Sequence, residues 1–305
     1  MAETDDRRTR DARTNSIGRC IVSCISVFLT QFTLALIPRF LYTSPLSIQL
    51  ALSALVFVVV VGLGGRCRRA LGVYASAPAF VVISIIYVWV VYVTVVREVV
   101  PLWTDVLFHG EVAMLIIGLC SIFNRDPGRV TPGPSLSSGS VSEVSETSSL
   151  MGRVRYCRSC EAYIKGFDHH CPAFGNCIGQ NNHFLFMALL AGFLITESSF
   201  VACSSKFASK SSILYQTRLE SNLAADLVIG GLLFSLLQLL WQGIFFMWHI
   251  YCICFNIKTD EWINWEKYPE FQHQVKSEQG QSSTTLTFQN PYDKGILGNI
   301  REFLS

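Results

Sequence analysis

Residues 227–257 read LVIGGLLFSLLQLLWQGIFFMWHIYCICFNI, a run without a single Lys, Arg, Asp or Glu. A hydrocarbon core about 30 Å thick is crossed by about 20 apolar residues in a helix, so this stretch is long enough to span a bilayer. Three more runs share its character: Cys20–Pro38, Leu41–Gly65 and Ala70–Val96 also lack all four charged residue types. Val106–Phe123 is apolar but holds His109 and Glu111, and His183–Cys203 is apolar but holds Glu197. The sequence therefore predicts six spans, at roughly 17–37, 44–65, 78–98, 106–123, 183–203 and 227–255. Each is expected to be helical, because lipid cannot satisfy an open backbone.

The composition agrees. The chain is 50% hydrophobic and 15% charged, against about 25% charged in a globular domain, and its mean hydropathy is +0.39. That excludes a secreted disulfide scaffold, a disordered chain and a water-soluble enzyme. A net charge of +2 gives a nucleic-acid partner no electrostatic support. Of the 24 basic residues, Arg39, Arg97, Lys206, Lys210 and Arg218 alone fall on one side of the predicted membrane. The positive-inside rule then sets both termini and the 124–182 segment in the cytosol.

The expected layout is an N-terminal cytosolic tail (1–16), four transmembrane helices (17–123), a cytosolic loop (124–182), two transmembrane helices (183–255) and a cytosolic C-terminal tail (256–305). Residues 1–16 are too long and too acidic for the charged lead of a cleaved signal, so the first span reads as retained. Glu111 and Asp226 read as residues near helix ends at the interface. An ion or substrate path through Glu111, Glu197 and Asp226 is the rival reading, since acids within a membrane carry function by default. Within the loop, residues 130–150 (VTPGPSLSSGSVSEVSETSSL) cannot bury a core and are expected to be disordered.

Residues 152–182 differ sharply, with Cys157, Cys160, Cys171 and Cys177 beside His169 and His170. A reducing cytosol favours metal or catalytic chemistry over disulfides. A Cys-x-x-Cys pair with one more Cys and one His supplies four soft ligands, which suits tetrahedral zinc. Cys157, Cys160, Cys177 and one histidine fill that set. One histidine and one cysteine remain, beside Asp168, and these are the parts of an activated thiol: acid, base and sulfur. A bland alternative stands beside it, in which Cys171 is only a ligand and the second histidine a surface residue.

Asp168-His169-His170-Cys171-Pro172, in a Cys-rich loop between spans, resembles the DHHC family of protein S-acyltransferases (palmitoyltransferases). Asp126-Pro127-Gly128 is similar to the family's DPG motif, and Asn176-Cys177-Ile178-Gly179 with Asn182 to its NCVGxxN stretch. Thr259 and Glu261 fit its TTxE motif, with Lys258 in place of the first threonine. Asn290-Pro291-Tyr292-Asp293-Lys294-Gly295 with Asn299 resembles its C-terminal NPYxxG…N element. The motifs cover roughly residues 124–300, in the family's order.

The resemblance implies an all-α polytopic membrane protein with about six transmembrane helices and a small zinc-bound cytosolic Cys-rich loop domain. It implies a catalytic Cys171 that takes a long-chain acyl group from palmitoyl-CoA or another fatty acyl-CoA. His169 is then the base and Asp168 the residue that orients it. Cys157, Cys160, His170 and Cys177 are the implied ligands of one structural zinc. The implied partners are cysteine-containing, membrane-associated substrate proteins, acyl-CoA and the lipid bilayer, with no nucleic acid. The implied location is the Golgi, another endomembrane or the plasma membrane.

The sequence departs from the family in three ways. A second, upstream zinc site in the family would fall at Glu143, Glu146, Tyr156 and Tyr163, which are not a ligand set. Ala173 stands where the family carries tryptophan, and four spans rather than two precede the loop. A membrane adaptor built on an impaired relative is the alternative that these departures motivate.

Overall fold

In the computed structural model each apolar run is a helix: α1 (Ala2–Phe40), α2 (Leu46–Ala70), α3 (Ala77–Thr94), α4 (Leu102–Asn124), α5 (His183–Tyr215) and α6 (Leu223–Cys254). The structure describes residues 2–41, 43–70, 72, 74–131, 153–215, 223–276 and 284–305. The stretch expected to be disordered therefore lies, beyond residue 131, outside the described residues. All six helices are long and apolar enough to cross a membrane. α1 begins at Ala2, well before its apolar window Ser16–Phe40, so the segment expected as a separate tail continues the helix. Residues 2–15 contain no Pro or Gly to stop it, and three of their four acids precede all four of their arginines, the order the helix dipole favours.

The chain forms two compact units. The first comprises Met1–Ile117 and Ala191–Gly243. In it α1 packs on α2 and α3, and Leu34 and Ile37 of α1 share a buried cluster with Leu233 and Phe234 of α6. A Cβ on Gly230 would fall 2.8 Å from the Ala35 Cα, so these two helices meet through small residues, as helices in lipid commonly do. A second cluster joins Val88, Val91 and Tyr92 of α3 to Phe108 of α4 and Phe200 of α5.

The acids of this unit only partly follow the sequence reading. Asp226 does lie in the first turn of α6, 3.7 Å from Arg39. Glu111 instead lies in the middle of α4, where the Ser199 hydroxyl donates to it at 3.0 Å. The helix starts earlier than its apolar run, taking in Asp105, whose carboxylate is held by Arg97 at 3.0 Å.

The second unit comprises Gly118–Leu190 and Ile244–Ser305. A three-stranded antiparallel sheet runs in the order β1 (Arg129–Val130), β3 (Ala162–Lys165), β2 (Val154–Cys157), and a hairpin pairs β4 (His169–Cys171) with β5 (Asn176–Ile178). After α6 come the short helix α7 (Thr259–Asn264), a hairpin of β6 (Gln272–Lys276) and β7 (Thr284–Phe288), and α8 (Ile296–Leu304). The Cys-rich core is small: Cys157, Ile164, Phe167 and Cys177.

Polar side chains stitch this unit together because so little apolar surface is available. Asn176 donates to the carbonyls of Ile122 and Arg125 at 3.0 and 2.9 Å, satisfying the end of α4. Asn182 accepts from the Gly179 amide and donates to the Cys177 carbonyl, both at 2.9 Å. Gly179 has no room for a side chain, since a Cβ would fall 2.4 Å from the Pro127 carbonyl. The Asp-Pro-Gly and Asn-Cys-Ile-Gly motifs are thus two sides of one backbone contact.

Arg153 reaches the tail, donating to both Glu261 carboxylate oxygens at 2.8 and 2.5 Å and to Asn256, with its guanidinium 3.9 Å from the Tyr292 ring centre. Removing one partner of a buried ion pair leaves the other charge stranded, at about 3–5 kcal/mol. Glu261→Ala should therefore destabilise the chain by about that amount, while Arg153→Met with Glu261→Leu should recover most of the loss. Unfolding of the purified variants in detergent measures both.

Candidate active site and metal centre

A strand sends successive side chains to opposite faces, and β4 consists of only His169, His170 and Cys171. His169 and Cys171 therefore share one face and His170 takes the other. The antiparallel register sets His170 directly across from Cys177, so these two project to the same side.

On that side four ligand atoms converge. His170 Nδ1 lies 3.8 Å from Cys157 Sγ, 3.4 Å from Cys160 Sγ and 3.7 Å from Cys177 Sγ, and the Cys160 and Cys177 sulfurs are 3.4 Å apart. Atoms held about 2.0–2.3 Å from a shared tetrahedral zinc stand about 3.4–3.8 Å from one another. The set fits a zinc ion in number, softness and spacing, and all four ligand atoms lie within 4.8 Å of each other.

On the opposite face Asp168 is fully buried and its Oδ2 accepts from His169 Nδ1 at 2.7 Å. Its Oδ1 accepts from the Thr259 amide at 3.0 Å, and its own carbonyl accepts from the Asp260 amide at 2.9 Å. Burial alone would raise the Asp168 carboxyl. The hydrogen bond from His169 and the charges of its neighbours outweigh burial and hold the carboxyl well below the usual range. For His169, burial disfavours the imidazolium. The hydrogen bonds to Asp168 and Cys171, with the charges those groups carry, raise it to about 9. Nδ1 is committed to Asp168, which leaves Nε2 for the thiol. Cys171 itself is buried, 7% exposed.

Phe174, the residue after Ala173, is buried, 6.4 Å from the Phe123 ring and edge-on to Phe186 at 6.0 Å. Tyr156 and Tyr163, two of the positions assigned to an upstream metal, face each other across β2 and β3 with ring centres 5.1 Å apart. Glu143 and Glu146 lie outside the described residues.

Three residues near Asp168 were missed by the sequence reading. His183 and His249 are buried and, with Asp168, form a second group whose ligand atoms lie within 4.8 Å of one another. Lys258 Nζ stands 3.3 Å from His183 Nδ1. A signal existed: His249 is the one histidine in the charge-free run 227–257, and polar residues within spans tend to serve function.

A family model described as DHHC palmitoyltransferase matches residues 145–266, the segment that holds the four clustered ligands, Asp168, His169, Cys171, His183, His249 and Lys258. Palmitoyltransferase ZDHHC17 of Mus musculus is 26% identical over 204 residues, which cover 59% of this chain and 30% of that protein. Palmitoyltransferase Hip14 of Drosophila melanogaster is 25% identical over 255 residues, 77% of this chain and 37% of that protein. Probable protein S-acyltransferase 1 of Arabidopsis thaliana is 25% identical over 243 residues, 66% of this chain and 65% of that protein. Residues 145–266 are thus similar to the DHHC palmitoyltransferase family. The chain spans about a third of the length of the ZDHHC17 and Hip14 relatives it matches.

The opposed faces of β4 make adjacent histidines fail differently. His170→Ala should release the metal and lower the yield of folded protein, because structural zinc contributes folding free energy directly. His169→Ala should keep the metal. Metal analysis of the two purified variants, beside wild type, measures the difference, and equal metal loss in both would contradict the alternation.

Proposed function

We propose that this chain is a protein S-acyltransferase that moves a long-chain fatty acyl group from acyl-CoA to cysteines of membrane-associated proteins. The observation that carries this reading is that His169 and Cys171 share one face of β4, with Asp168 held to His169 by a 2.7 Å hydrogen bond, while His170 takes the other face. His169 Nε2 takes the Cys171 thiol proton, and the sulfur attacks the thioester carbonyl carbon of acyl-CoA. A new carbon–sulfur bond forms as the bond to the CoA sulfur breaks, and the CoA thiolate leaves with the proton from His169. In the second half the substrate thiol gives its proton to His169, its sulfur takes the acyl group, and Cys171 recovers a proton from His169. Each step exchanges one thioester for another, so no other reactant is needed.

Cys157, Cys160, His170 and Cys177 would hold one zinc ion, which would keep a loop with so small a core in its fold. The Tyr156–Tyr163 pair supports a single site. The bias of basic residues supports a cytosolic loop and cytosolic termini, on the side where acyl-CoA is available, in a Golgi, other endomembrane or plasma membrane setting. An acyl chain gains about 0.8 kcal/mol for each CH₂ withdrawn from water, which suits a thiol held beside membrane helices. A membrane adaptor would need none of the Asp168, His169 and Cys171 geometry.

Three measurements test the reading. Purified wild type should contain one zinc ion per chain, and two would reject the single site. Cys171→Ser should retain zinc and expression, yet abolish transfer of a labelled fatty acyl group to a substrate protein. The label on wild type should be released by neutral hydroxylamine, as a thioester is. A Cys171→Ser chain that still transfers at the wild-type rate would overturn the mechanism, and a wild type that never acquires label would favour the adaptor.

A further inference from the structure

We propose that His249 is a positioning residue for this reaction: it backs the Asp168 carboxylate from the side opposite His169 and so keeps His169 aimed at Cys171. The assignment rests on the enzymatic reading above.

His249 lies in α6, fully buried, and neither ring nitrogen meets a hydrogen-bond partner among the described residues. Burying an unpaired polar group costs about 1–3 kcal/mol, and a leucine would fill similar space without that cost. What stands near the ring is a charge: His249 Nδ1 is 3.9 Å from Asp168 Oδ2, the oxygen that already holds His169. The ring is fixed by two aromatic edges, Phe186 with centroids 4.9 Å away and Phe245 at 4.6 Å. It lies 5.6 Å from the His169 ring at an interplanar angle of 37°. Three groups therefore surround one buried carboxylate: His169 on Oδ2, the Thr259 amide on Oδ1, and His249 against the remaining approach to Oδ2.

That third group has a task in the chemistry. When His169 accepts the Cys171 proton, positive charge appears beside Asp168, and a carboxylate free to turn would draw the imidazole away from the sulfur. The His249 ring blocks that turn, and its Nδ1–H can close the 3.9 Å gap to share the Oδ2 lone pairs. Misplacement of a reacting group by about 1 Å is enough to cost about a hundredfold in rate.

The same atoms could be taken for a cation site, since Asp168, His183 and His249 gather within 4.8 Å. The surroundings argue otherwise. The Lys258 amine is 3.3 Å from His183 Nδ1, and Asp168 already accepts from both His169 and Thr259. A cation there would meet a like charge and an occupied carboxylate.

The experiment is single-turnover acylation of the full chain, purified in detergent, with labelled palmitoyl-CoA. His249→Ala should slow acylation about a hundredfold, with the palmitoyl-CoA half-saturation concentration within about twofold of wild type and zinc content unchanged. His249→Gln, which keeps an N–H of similar reach, should recover at least about tenfold of that loss, and His249→Leu, which keeps only the volume, should not. The Gln and Leu pair decides the matter if the Ala variant loses its fold. Equal rates for Gln and Leu would reduce His249 to a space-filler and overturn the assignment, as would a wild-type rate for His249→Ala. Loss of a metal equivalent in the variants would overturn it in favour of a cation ligand. A wild type that takes no label overturns the enzymatic reading and this assignment together, whereas a labelled wild type beside an unimpaired His249→Ala overturns this assignment alone.

Discussion

A carboxylate withdrawn from water is tolerated only when its lone pairs are met, and the second unit is arranged around meeting those of Asp168. Its backbone amide donates to the Ile178 carbonyl at 2.9 Å, which ties it to β5 and so to the ligand strand. Its carbonyl and Oδ1 accept from the Asp260 and Thr259 amides, which tie it to the first turn of α7. Its Oδ2 takes His169. One residue therefore joins the Cys-rich loop, the segment after the last span and His169. Glu261 then serves two ends in the same turn. It accepts from the Lys258 amide at 2.9 Å, a capping interaction, and from the Arg153 guanidinium. Moving α7 would disturb His169 and the sheet at once, which gives a physical reason for the sequence to carry a Thr–x–Glu element so far along the chain from Asp-His-His-Cys.

What was legible in the sequence follows from what each signal measures. Long apolar runs report burial in lipid, and all six became helices long enough to cross a membrane. Ligand spacing reports local loop geometry, and Cys157, Cys160, His170 and Cys177 do converge. The division between His169 and His170 was carried over from the family resemblance; the residue types alone left it open, and strand alternation supplies its cause. Helix ends were read less well. A polar first segment looks like a tail, but nothing in residues 2–15 stops a helix, so α1 starts at Ala2. Glu111 looked terminal because the apolar run begins close before it, whereas α4 begins at Leu102. His183, His249 and Lys258 were passed over because their importance depends on approach to Asp168 from other elements, and a single sequence does not display that approach.

The departures from the family also find physical expression. Where an upstream metal is assigned by resemblance, the described residues hold a cross-strand tyrosine pair, a contact worth about 0.5–1.5 kcal/mol, against about 10–16 kcal/mol for a structural zinc. An aromatic pair of that strength does not replace a metal by itself. The sheet has other supports, and they come from the tail. Arg155 in β2 pairs with Glu270 and lies 4.0 Å from the Tyr268 ring centre, as Arg153 pairs with Glu261 over Tyr292. Each arginine is held by a carboxylate and an aromatic face together, which is the geometry a planar guanidinium uses best.

The C-terminal residues consequently act as part of the unit that holds Asp168, His169 and Cys171. Asn299 donates to the Cys254 carbonyl at 2.8 Å and accepts from the Lys294 amide, and Asn290 donates to the Phe255 carbonyl at 2.6 Å. These bonds satisfy carbonyls that the end of α6 leaves without helical partners. With α6 finished in this way, Asn256 can turn with a φ of 46° and the chain can enter α7 at Lys258. The turn sets the Thr259 amide against Asp168. The Asn-Pro-Tyr element is thus linked to the thiol through one helix end, one short helix and one carboxylate.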